Sequence, residues 1–317
     1  MNTGDEKRSN HKIVVVGSSS VDFTTYAPRL PNPGETLHGY KFVTSYGGKG
    51  ANQCVAAAKL GANTYMISRL GDDKWGVEYK KYLKELGVDV RHVTLTCNVS
   101  TGIAQIMVAE NGENQIVIVP GANNHLSCMD IKAAEDIIET ADIIIGQLET
   151  PFESTLEAFK RCKGLKLFNA APAIKNTEFI FPYCSILCLN ETEASLYVGF
   201  AVDLTNGSLA LKKILESGCE KVIITLGDKG AIYSSKQDSK CIHVCCETVV
   251  PVDTTGAGDA FVGALATYLV THKDYPLHQI IGAACAVATM SVTKEGTQTS
   301  YPTRFDAFAK EYEYKEL

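Results

Sequence analysis

The stretch "VDTTGAGDAF", residues 252–261, sets two glycines and two aspartates directly before the apolar run "VGALATYLV", residues 262–270. A helix that only packs into a core does not need such a polar entrance. Gly256 and Gly258 permit a tight turn, which is a sufficient structural explanation. Backbone N–H groups at a helix N-terminus also bind anions, and an aspartate next to an anion, here Asp259, indicates chemistry at this turn.

Short β-branched runs alternate with helical stretches along the chain and provide the setting for this turn. Five runs stop abruptly at polar or glycine residues: "KIVVVGSSS" (12–20), "ADIIIGQLET" (141–150), "LKLFNAAPA" (165–173), "SILCLNETEA" (185–194) and "KVIITLGDKG" (221–230). Each is typical of a buried strand. The alternation predicts an α/β fold with a central, mostly parallel sheet flanked by helices. Ligands of such sheets bind at the carboxyl ends of the strands.

Two stretches interrupt the alternation and predict a small antiparallel β lid, formed by about residues 20–46 and 98–120. In the second stretch, Asn111 and Gly112 separate two apolar runs, which is a strong hairpin signal. A sheet this small has too little core to stand alone. We expect the lid to close over the ligand cleft and to pair across a homodimer through its apolar edges. With the lid, residues 12–317 form a single domain after a disordered tail at 1–11.

Composition and charge exclude several classes of function. The 317 residues carry a formal net charge of −6, which does not support nucleic-acid binding. No apolar run reaches the roughly 20 residues of a membrane helix, so no membrane association is expected. The polar N-terminus lacks a secretion signal, and the eleven cysteines are scattered through apolar stretches. Both features predict a reducing, cytoplasmic location.

One cysteine cluster allows a metal-binding alternative. In "CIHVCCE", residues 241–247, a strand would place Cys241, His243 and Cys245 on one face, an arrangement compatible with zinc. No paired C-x-x-C motif supplies the remaining ligands. Thiols that pack as small hydrophobic groups are therefore the favoured interpretation.

Common nucleotide-binding fingerprints are absent from the sequence. It has no G-x-x-x-x-G-K-[ST] motif, and "GAGDAF" lacks the third glycine of the dinucleotide fingerprint, which argues against P-loop enzymes and nicotinamide dehydrogenases. "SYGGKGANQCVAAAKLGA", residues 45–62, nevertheless repeats the glycine-rich helix entrance. Its Lys49 and Asn52 can hold several hydroxyls, or a hydroxyl and a phosphate. A solvated lysine at a flexible helix entrance is the structural alternative.

Acidic residues follow several of the predicted strands. Asp22 follows "VVVGSSSV", Glu149 follows "IIIGQL", and Glu191 and Glu193 follow "ILCLN". A single carboxylate at a strand end is usually a helix cap or a solvated residue. Several at one edge of a parallel sheet are better explained by sugar hydroxyls and a magnesium-bound phosphate, since carboxylates accept hydrogen bonds and bind hard cations.

Three motifs in a fixed order carry a family resemblance: "GGKGANQ" (47–53), "NETEA" (190–194) and "DTTGAGDAF" (253–261). They resemble the ribokinase (PfkB) family of ATP-dependent carbohydrate kinases, and the similarity runs from about residue 12 to residue 303. The resemblance is greatest to the ribose-phosphorylating members, through "GSSSVD" (17–22), "PNPGET" (31–36), "STG" (100–102), "QLE" (147–149), "NAAPA" (169–173), "VIITLGDKG" (222–230) and "KEGTQTSYP" (294–302).

The resemblance implies roles at the reacting centre and in substrate binding. Asp259 matches the catalytic base, and the N–H groups of Gly256, Ala257 and Gly258 match the anion hole. The resemblance assigns ribose binding to Ser20, Asp22, Gly48, Lys49, Asn52, Glu149 and Asp259. Ser20 replaces the asparagine that bacterial members typically carry.

The resemblance also implies nucleotide and metal positions. Asn190 and Glu193 match the family's positions for the triphosphate and its magnesium, with Glu193 expected to reach the magnesium indirectly. Thr225 and Gly227 match positions beside the nucleotide. The resemblance also implies a potassium site. Its ligands would be the side chains of Asp253 and Ser300 and the carbonyls of Thr255, Ser291, Lys294 and Gly296.

The resulting expectation is transfer of the γ-phosphoryl group of ATP to the primary hydroxyl of D-ribose, giving D-ribose 5-phosphate and ADP. Such a transfer mainly requires positioning and charge stabilisation. The expected cofactors are Mg²⁺ and K⁺, with ATP as co-substrate, and the expected assembly is a homodimer joined through the β lid. Two alternatives stay open: a related kinase of fructose, deoxyribose or a nucleoside such as adenosine, and a non-catalytic sensor of a sugar or nucleotide.

Overall fold

The computed structural model describes residues 9–317, so the first eight residues of the predicted tail lie outside the described residues. The end of that tail adjoins the domain. The backbone N–H of Ser9 donates to the carbonyl of Gly61 (3.2 Å), and His11 Nδ1 lies 3.2 Å from Asp142 Oδ1.

Strands and helices alternate along most of the described chain. The strands are β1 Lys12–Val16, β2 Ser20–Ala27, β3 Lys41–Gly47, β4 Asn63–Gly71, β5 Asp89–Thr96, β6 Gly102–Ala109, β7 Asn114–Val119, β8 Ile143–Gly146, β9 Leu165–Asn169, β10 Ile186–Asn190, β11 Lys221–Thr225, β12 Ala231–Ser235, β13 Ile242–Val244 and β14 Tyr314–Glu316. The α-helices are α1 Lys49–Lys59, α2 Lys74–Glu85, α3 Cys128–Ala133, α4 Glu135–Glu139, α5 Phe152–Arg161, α6 Glu191–Val198, α7 Gly207–Leu215, α8 Ala257–Thr271 and α9 Leu277–Ser291.

Ten strands form the central sheet, in the order β14-β13-β12-β11-β10-β9-β8-β1-β4-β5. The strands from β11 to β5 pair in parallel, and β12, β13 and β14 are added in antiparallel. The five predicted strand runs are β1, β8, β9, β10 and β11, which lie side by side, so the α/β prediction is confirmed. Chain order changes direction at β1, and the carboxyl ends of β1 and β8 therefore open a crevice for ligands.

A second sheet, in the order β3-β2-β6-β7, forms the predicted lid. The pairs β2–β3 and β6–β7 are antiparallel, as expected, whereas β2 and β6 pair in parallel. The predicted hairpin joins β6 to β7, and Gly112 in its turn takes a φ of +86°. The side chains of residues 116–119 on β7 are all exposed. The lid thus presents an apolar outer strand.

Apolar cores cover both faces of the central sheet, because alternate strand residues point to opposite faces. Val15 joins the core beneath α1, α2, α8 and α9, and Val14 joins the core beneath α3 to α7. Helices α1 and α8 approach closely at Gly263, where a Cβ would lie 2.5 Å from the carbonyl oxygen of Gln53. This close contact brings the two glycine-rich helix entrances together.

Two further expectations concern membranes and zinc. In residues 9–317, no helix is both long and apolar enough to cross a membrane. The zinc alternative at Cys241, His243 and Cys245 is not supported, because the described part of the chain has no group of three or more His, Cys, Asp or Glu placed to hold a metal. Nε2 of the buried His243 instead donates to the carbonyl of Lys229 (2.6 Å). All eleven cysteines are free thiols.

Candidate active site

The turn before α8 lies between two cavities. One cavity, of about 670 Å³, is lined on this side by Thr255, Gly256 and Asp259. The other, of about 500 Å³, is lined by Thr254, Ala257 and Gly258. Because residues of a single turn line both cavities, the two cavities adjoin at this turn.

Gly256 shapes the turn. It directly precedes α8 with a φ of +75°, a left-handed conformation that glycine adopts without strain. A Cβ here would lie 2.3 Å from Thr297 Cγ2 and 2.7 Å from Tyr301 Oη, which itself donates to the carbonyl of Gly256 (3.1 Å). The first N–H groups of a helix have no intrahelical acceptor, and the N–H of Ala257 makes only a long bond to Thr254 (3.3 Å). These donors are therefore available to an anion.

Asp259 lies in the first turn of α8 with 7% of its surface exposed. Its Oδ2 accepts from Asn52 Nδ2 and its Oδ1 accepts from Gln53 Nε2, both at 2.9 Å. Burial raises the pKa of Asp259, and the charge of Lys49 and the two amide donors oppose that rise. The carboxylate is held in one orientation at the cavity wall, where it can take a proton from a bound group.

The larger cavity collects every residue that the sequence analysis assigned to sugar binding: Ser20, Asp22, Gly48, Lys49, Asn52, Glu149 and Asp259. They come from the lid strand β2, the entrance of α1, the loop after β8 and the first turn of α8. Burial lowers the pKa of Lys49, but the carboxylates of Asp259, Glu149 and Glu193 outweigh it, so that this pKa is raised. The ammonium group therefore stays charged among the carboxylates.

Asp22 carries a perturbed carboxylate on the lid side of this cavity. Burial raises the pKa of Asp22 to about 6, opposed by a hydrogen bond from Ser20 and assisted by the charges of Glu149 and Asp259. The bond from Ser20 Oγ to Asp22 Oδ1 is 3.2 Å long. The hydroxyl that stands in place of an asparagine is thus turned toward Asp22.

Ser18 belongs to the site, although the sequence analysis did not single it out. Its hydroxyl donates to Glu149 Oε2 (2.6 Å), and the backbone N–H of Lys49 donates to the same oxygen (2.9 Å). Glu149 is therefore fixed through one oxygen, and its Oε1 has no protein hydrogen bond within residues 9–317. The available signal was the run of three serines in "GSSSVD".

The smaller cavity lies on the other side of the turn. Thr225 and Gly227, assigned from sequence to positions beside the nucleotide, line it. Much of its remaining wall is apolar and comes from Val249, Pro251, Phe261, Ala288 and Val292. An apolar wall of this kind suits a planar base.

Asn190 and Glu193 lie outside the linings of both cavities and cap α6. Asn190 Oδ1 accepts from the N–H of Glu193 (2.8 Å), and Glu193 Oε2 accepts from the N–H of Asn190 (2.9 Å). Burial raises the pKa of Glu193, against the bond from Asn190 and the charge of Lys49. Within the described residues, Glu193 Oε1 makes no protein hydrogen bond, which leaves one carboxylate oxygen for a hydrated cation.

Two segments, 252–255 and 291–300, contain the residues assigned to potassium. Asp253 joins them, because its Oδ1 accepts from the N–H of Thr255 and its Oδ2 from the N–H of Gly296, both at 2.9 Å. The N–H of Lys294 makes a long bond to the carbonyl of Ser291 (3.4 Å). The sequence-assigned residues therefore lie on adjoining loops behind the turn.

The two serines of this set are buried. Ser291 Oγ donates to the carbonyl of Ala288 (2.7 Å), and Ser300 Oγ donates to that of Thr297 (2.8 Å). Each hydroxyl oxygen keeps its lone pairs, and the segments also supply carbonyl oxygens. Such a set of oxygen donors is compatible with a large monovalent cation.

Comparison with known proteins agrees with this geometry. The profile of the pfkB family carbohydrate kinases matches residues 10–304. The chain is 42% identical over 299 residues to a ribokinase of Mus musculus, with 93% of each chain covered. It is 36% identical over 296 residues to a deoxyribokinase of Salmonella typhi, with 92% of this chain and 95% of the relative covered.

A solved structure extends the comparison to three dimensions. An Arabidopsis thaliana ribokinase complexed with ribose and ATP matches with a TM-score of 0.83 and 30% identity, over 95% of this chain and 98% of that chain. The family profile spans nearly the whole chain and includes both cavities and the turn between them. The chain belongs to the pfkB family of carbohydrate kinases.

Proposed function

We propose that this chain transfers the γ-phosphoryl group of ATP to the primary hydroxyl of D-ribose, giving D-ribose 5-phosphate and ADP. The observation that carries the proposal is the turn 254–259 between two cavities, the first lined by Asp22, Glu149 and Asp259 and the second by Val249, Phe261 and Val292, among others. The first suits a polyhydroxylated sugar and the second a nucleotide base. The Mus musculus relative and the Arabidopsis thaliana structure with ribose and ATP support this choice of substrates.

In the proposed reaction, Asp259 orients the primary hydroxyl and takes its proton as the oxygen attacks the γ-phosphorus. The N–H groups of residues 256–258 stabilise negative charge on the transferred group. Asp22 and Glu149 accept hydrogen bonds from the other sugar hydroxyls, and Lys49 adds positive charge beside the phosphoryl path. Holding the two substrates in line is the main requirement of phosphoryl transfer.

Two metal ions are part of the proposal. Mg²⁺, when bound, neutralises charge on the triphosphate. Glu193 would reach it through water, since Mg²⁺ keeps several waters and one carboxylate oxygen is uncommitted, and Asn190 would lie beside the triphosphate. K⁺ would be held by Asp253, Ser300 and the carbonyls of Thr255, Ser291, Lys294 and Gly296.

A cytoplasmic location completes the proposal. Eleven free cysteines support it, because thiols persist where the compartment is reducing. ATP is also available in that compartment.

A substrate panel tests the proposed function. ADP release is measured with D-ribose, 2-deoxyribose, fructose and adenosine, and Asp259→Asn serves as the blank. We expect the highest kcat/KM with ribose and a loss when the 2-hydroxyl is removed. A preference for another acceptor would assign the chain to a related kinase. Calorimetric binding of both ligands without ADP release would instead indicate a sensor.

Potassium is expected to activate the enzyme. Asp253 ties segment 252–255 to segment 291–300, and Tyr301 joins the second segment to Gly256. A large cation bound between them would therefore fix the anion-binding turn. The kcat is compared in KCl, NaCl and tetramethylammonium chloride at one ionic strength. Equal rates in the three salts would contradict the site.

The lid is expected to join two copies of the chain. Ile116, Val117, Ile118 and Val119 are 46–66% exposed on the outer strand β7, a pattern typical of an unpaired edge. Because successive residues face opposite sides, the pair Ile116→Glu and Val117→Glu places charge on both faces. Sedimentation velocity at micromolar concentration should show a dimer for the parent protein and a monomer for this variant. Leu209→Glu, at an exposed position on α7, is the control that should stay dimeric.

The reaction at limiting ribose is expected to slow as the pH falls through 6. Asp22 must be ionised to accept from sugar hydroxyls, and burial raises its pKa to about 6. The kcat/KM for ribose should therefore decrease as the pH is lowered below 6, and the Asp22→Asn variant should not show this decrease. A wild-type profile that stays flat to pH 5 would contradict this role.

The same carboxyl has a predictable effect on stability. Between its ordinary value of 3.8 and about 6, Asp22 binds more protons in the folded than in the unfolded state. Its contribution to the free energy of unfolding thus falls as the pH rises through that window. Thermal unfolding of the ligand-free protein measures this effect as the Tm of Asp22→Asn minus the Tm of the wild type. This difference should be more positive at pH 8 than at pH 4.

A further inference from the structure

Three polar residues of the sequence motifs have no part in the proposed reaction: Gln53 of "GGKGANQ", Gln147 of "QLE" and Asn169 of "NAAPA". All three are buried, with exposed fractions of 0%, 1% and 7%. A buried amide is unfavourable unless it is hydrogen-bonded, so its partners show what it is there to hold. The partners of these three residues form one chain that ends at Asp259.

Gln53 is the centre of that chain. Its Nε2 donates to Asp259 Oδ1 (2.9 Å) and to Asn169 Oδ1 (3.0 Å). Its Oε1 accepts from Gln147 Nε2 (2.7 Å). Asn169 Nδ2 in turn donates to the carbonyl of Cys188 (3.2 Å). One glutamine therefore joins the carboxylate to two further amides.

The orientation of each amide follows from the two ends of the chain. A backbone carbonyl can only accept, so Asn169 directs its NH₂ group to Cys188 and its oxygen to Gln53. An ionised carboxylate also can only accept, so Gln53 directs its NH₂ group to Asp259. The oxygen of Gln53 is then left for Gln147. If the amide of Gln53 were turned over, its oxygen would face the oxygens of Asp259 and Asn169, and its NH₂ group would face the NH₂ group of Gln147.

The two oxygens of Asp259 are anchored on different parts of the fold. Through Gln53, Oδ1 is tied to three neighbouring strands, since Gln147 follows β8, Asn169 ends β9 and Cys188 lies in β10. Oδ2 is held by Asn52, whose own oxygen accepts from Gln298 Nε2 (2.9 Å) in segment 291–300. The rigid centre of the sheet therefore fixes one side of the carboxylate.

We propose that Gln53, itself held by Gln147 and Asn169, is a positioning residue that aims the carboxylate of Asp259 at the sugar hydroxyl and favours its ionised form. The inference rests on the proposed role of Asp259 as general base. A hydrogen bond donated to a carboxylate favours the charged form, and two bonds in fixed directions leave the remaining lone pairs for the substrate.

Charged and titratable groups from several elements face Asp259: Lys49 at the entrance of α1, Asp22 on β2, Glu149 after β8, Glu193 on α6 and Tyr301 beyond segment 291–300. Burial raises the pKa of Asp259 and the donor Gln53 opposes the rise, so loss of this donor should raise that pKa further. Asp22 titrates nearby and governs sugar binding. The quantity to follow is therefore kcat at saturating ribose.

Gln53→Met removes the donor at similar volume. We expect its kcat at pH 7 to fall about 10- to 100-fold, the range for one hydrogen bond to a charged group. The acid limb of the kcat–pH profile, where kcat falls as the pH is lowered, should move to higher pH. Part of the loss should be recovered at pH 9, and the KM for ribose should change little. Gln147→Met should move the limb in the same direction by less. Val55→Ala, buried on the same helix, is the matched control that lowers Tm and leaves the limb in place.

The outcomes separate a positioning role from a structural one. If Gln53→Met lowers kcat equally at every pH, or leaves it unchanged, the inference is overturned. If Gln53→Met folds poorly, Gln53→Glu is the second variant, because it keeps the side-chain length and sets a second carboxylate beside Asp259. The fall of kcat at acid pH should then begin at a still higher pH. If the kcat–pH profile of Gln53→Glu matches that of the wild type, the inference is also overturned. Near-normal kcat in Asp259→Asn would instead refute the proposed base, whatever Gln53 does.

Discussion

Asp259→Asn is expected to lower kcat by about 10² to 10⁴-fold, the usual contribution of general-base catalysis. The amide keeps the shape of the side chain and cannot take the proton of the attacking hydroxyl. Affinities for ribose and ATP should change far less, because most of the proposed sugar contacts lie on other residues of the 670 Å³ cavity. Steady-state kinetics and calorimetry on the same preparation measure both quantities. Near-normal kcat would remove Asp259 from the mechanism.

A second substitution controls for the neighbours of this carboxylate. Asp259 accepts from both Asn52 and Gln53, so the new amide must turn its NH₂ group toward one of these donors. That contact is unfavourable and could loosen the site without any effect on proton transfer. Asp259→Ala sets no new donor against Asn52 and Gln53, and it should show the same loss of kcat. If Asp259→Ala has a much higher kcat than Asp259→Asn, the loss in the asparagine variant is due to the contact between its NH₂ group and a neighbouring donor.

Gly256→Ala is expected to lower kcat by about 10² to 10³-fold, the effect of losing one donor to a developing negative charge. The methyl group meets Thr297 Cγ2 and Tyr301 Oη, and the backbone has a φ of +75° that alanine adopts only with strain. The turn must therefore shift, and its N–H groups leave the boundary of the two cavities. Single-turnover measurements at saturating ATP and ribose report the chemical step directly.

Gly61→Ala is the matched control for backbone strain. Gly61 has a φ of +91°, and a Cβ there meets no atom within 4 Å. It follows α1 at the end remote from Lys49 and lines neither cavity. The Gly61→Ala variant should lose stability by a similar backbone effect and keep the kcat of the wild type. If both glycine variants lose the same activity, general destabilisation, rather than a displaced turn before α8, is responsible.

Local sequence signals were sufficient for the centre of the fold. The runs that became β1, β8, β9, β10 and β11 are recognisable because strands buried on both faces need continuous apolar side chains. The lid hairpin was likewise readable from Asn111 and Gly112, since the turn chemistry is carried by the two residues themselves. Neither inference required knowledge of a distant partner.

Other elements depend on partners that the local sequence does not name. The residues of strand β14, Tyr314–Glu316, are exposed and carry no apolar pattern, and the segment is a strand only because it pairs with β13. The parallel pairing of β2 with β6 joins segments about 80 residues apart, with β3, α1, β4, α2 and β5 between them. Register between such segments is decided when the lid forms, not by either strand alone.

The same division applies to the site. The motifs by themselves indicated Asp22, Lys49, Glu149 and Asp259, which all line the larger cavity, because the family resemblance is carried by short, ordered stretches around these residues. Only the tertiary structure decided that Gln53 bonds to Asp259, 206 positions further along the chain. That contact requires α1 and α8 to approach closely at Gly263, and a hydrogen bond acts only over about 3 Å. Residue types can be read from the sequence, but the partner of a buried amide is set by packing.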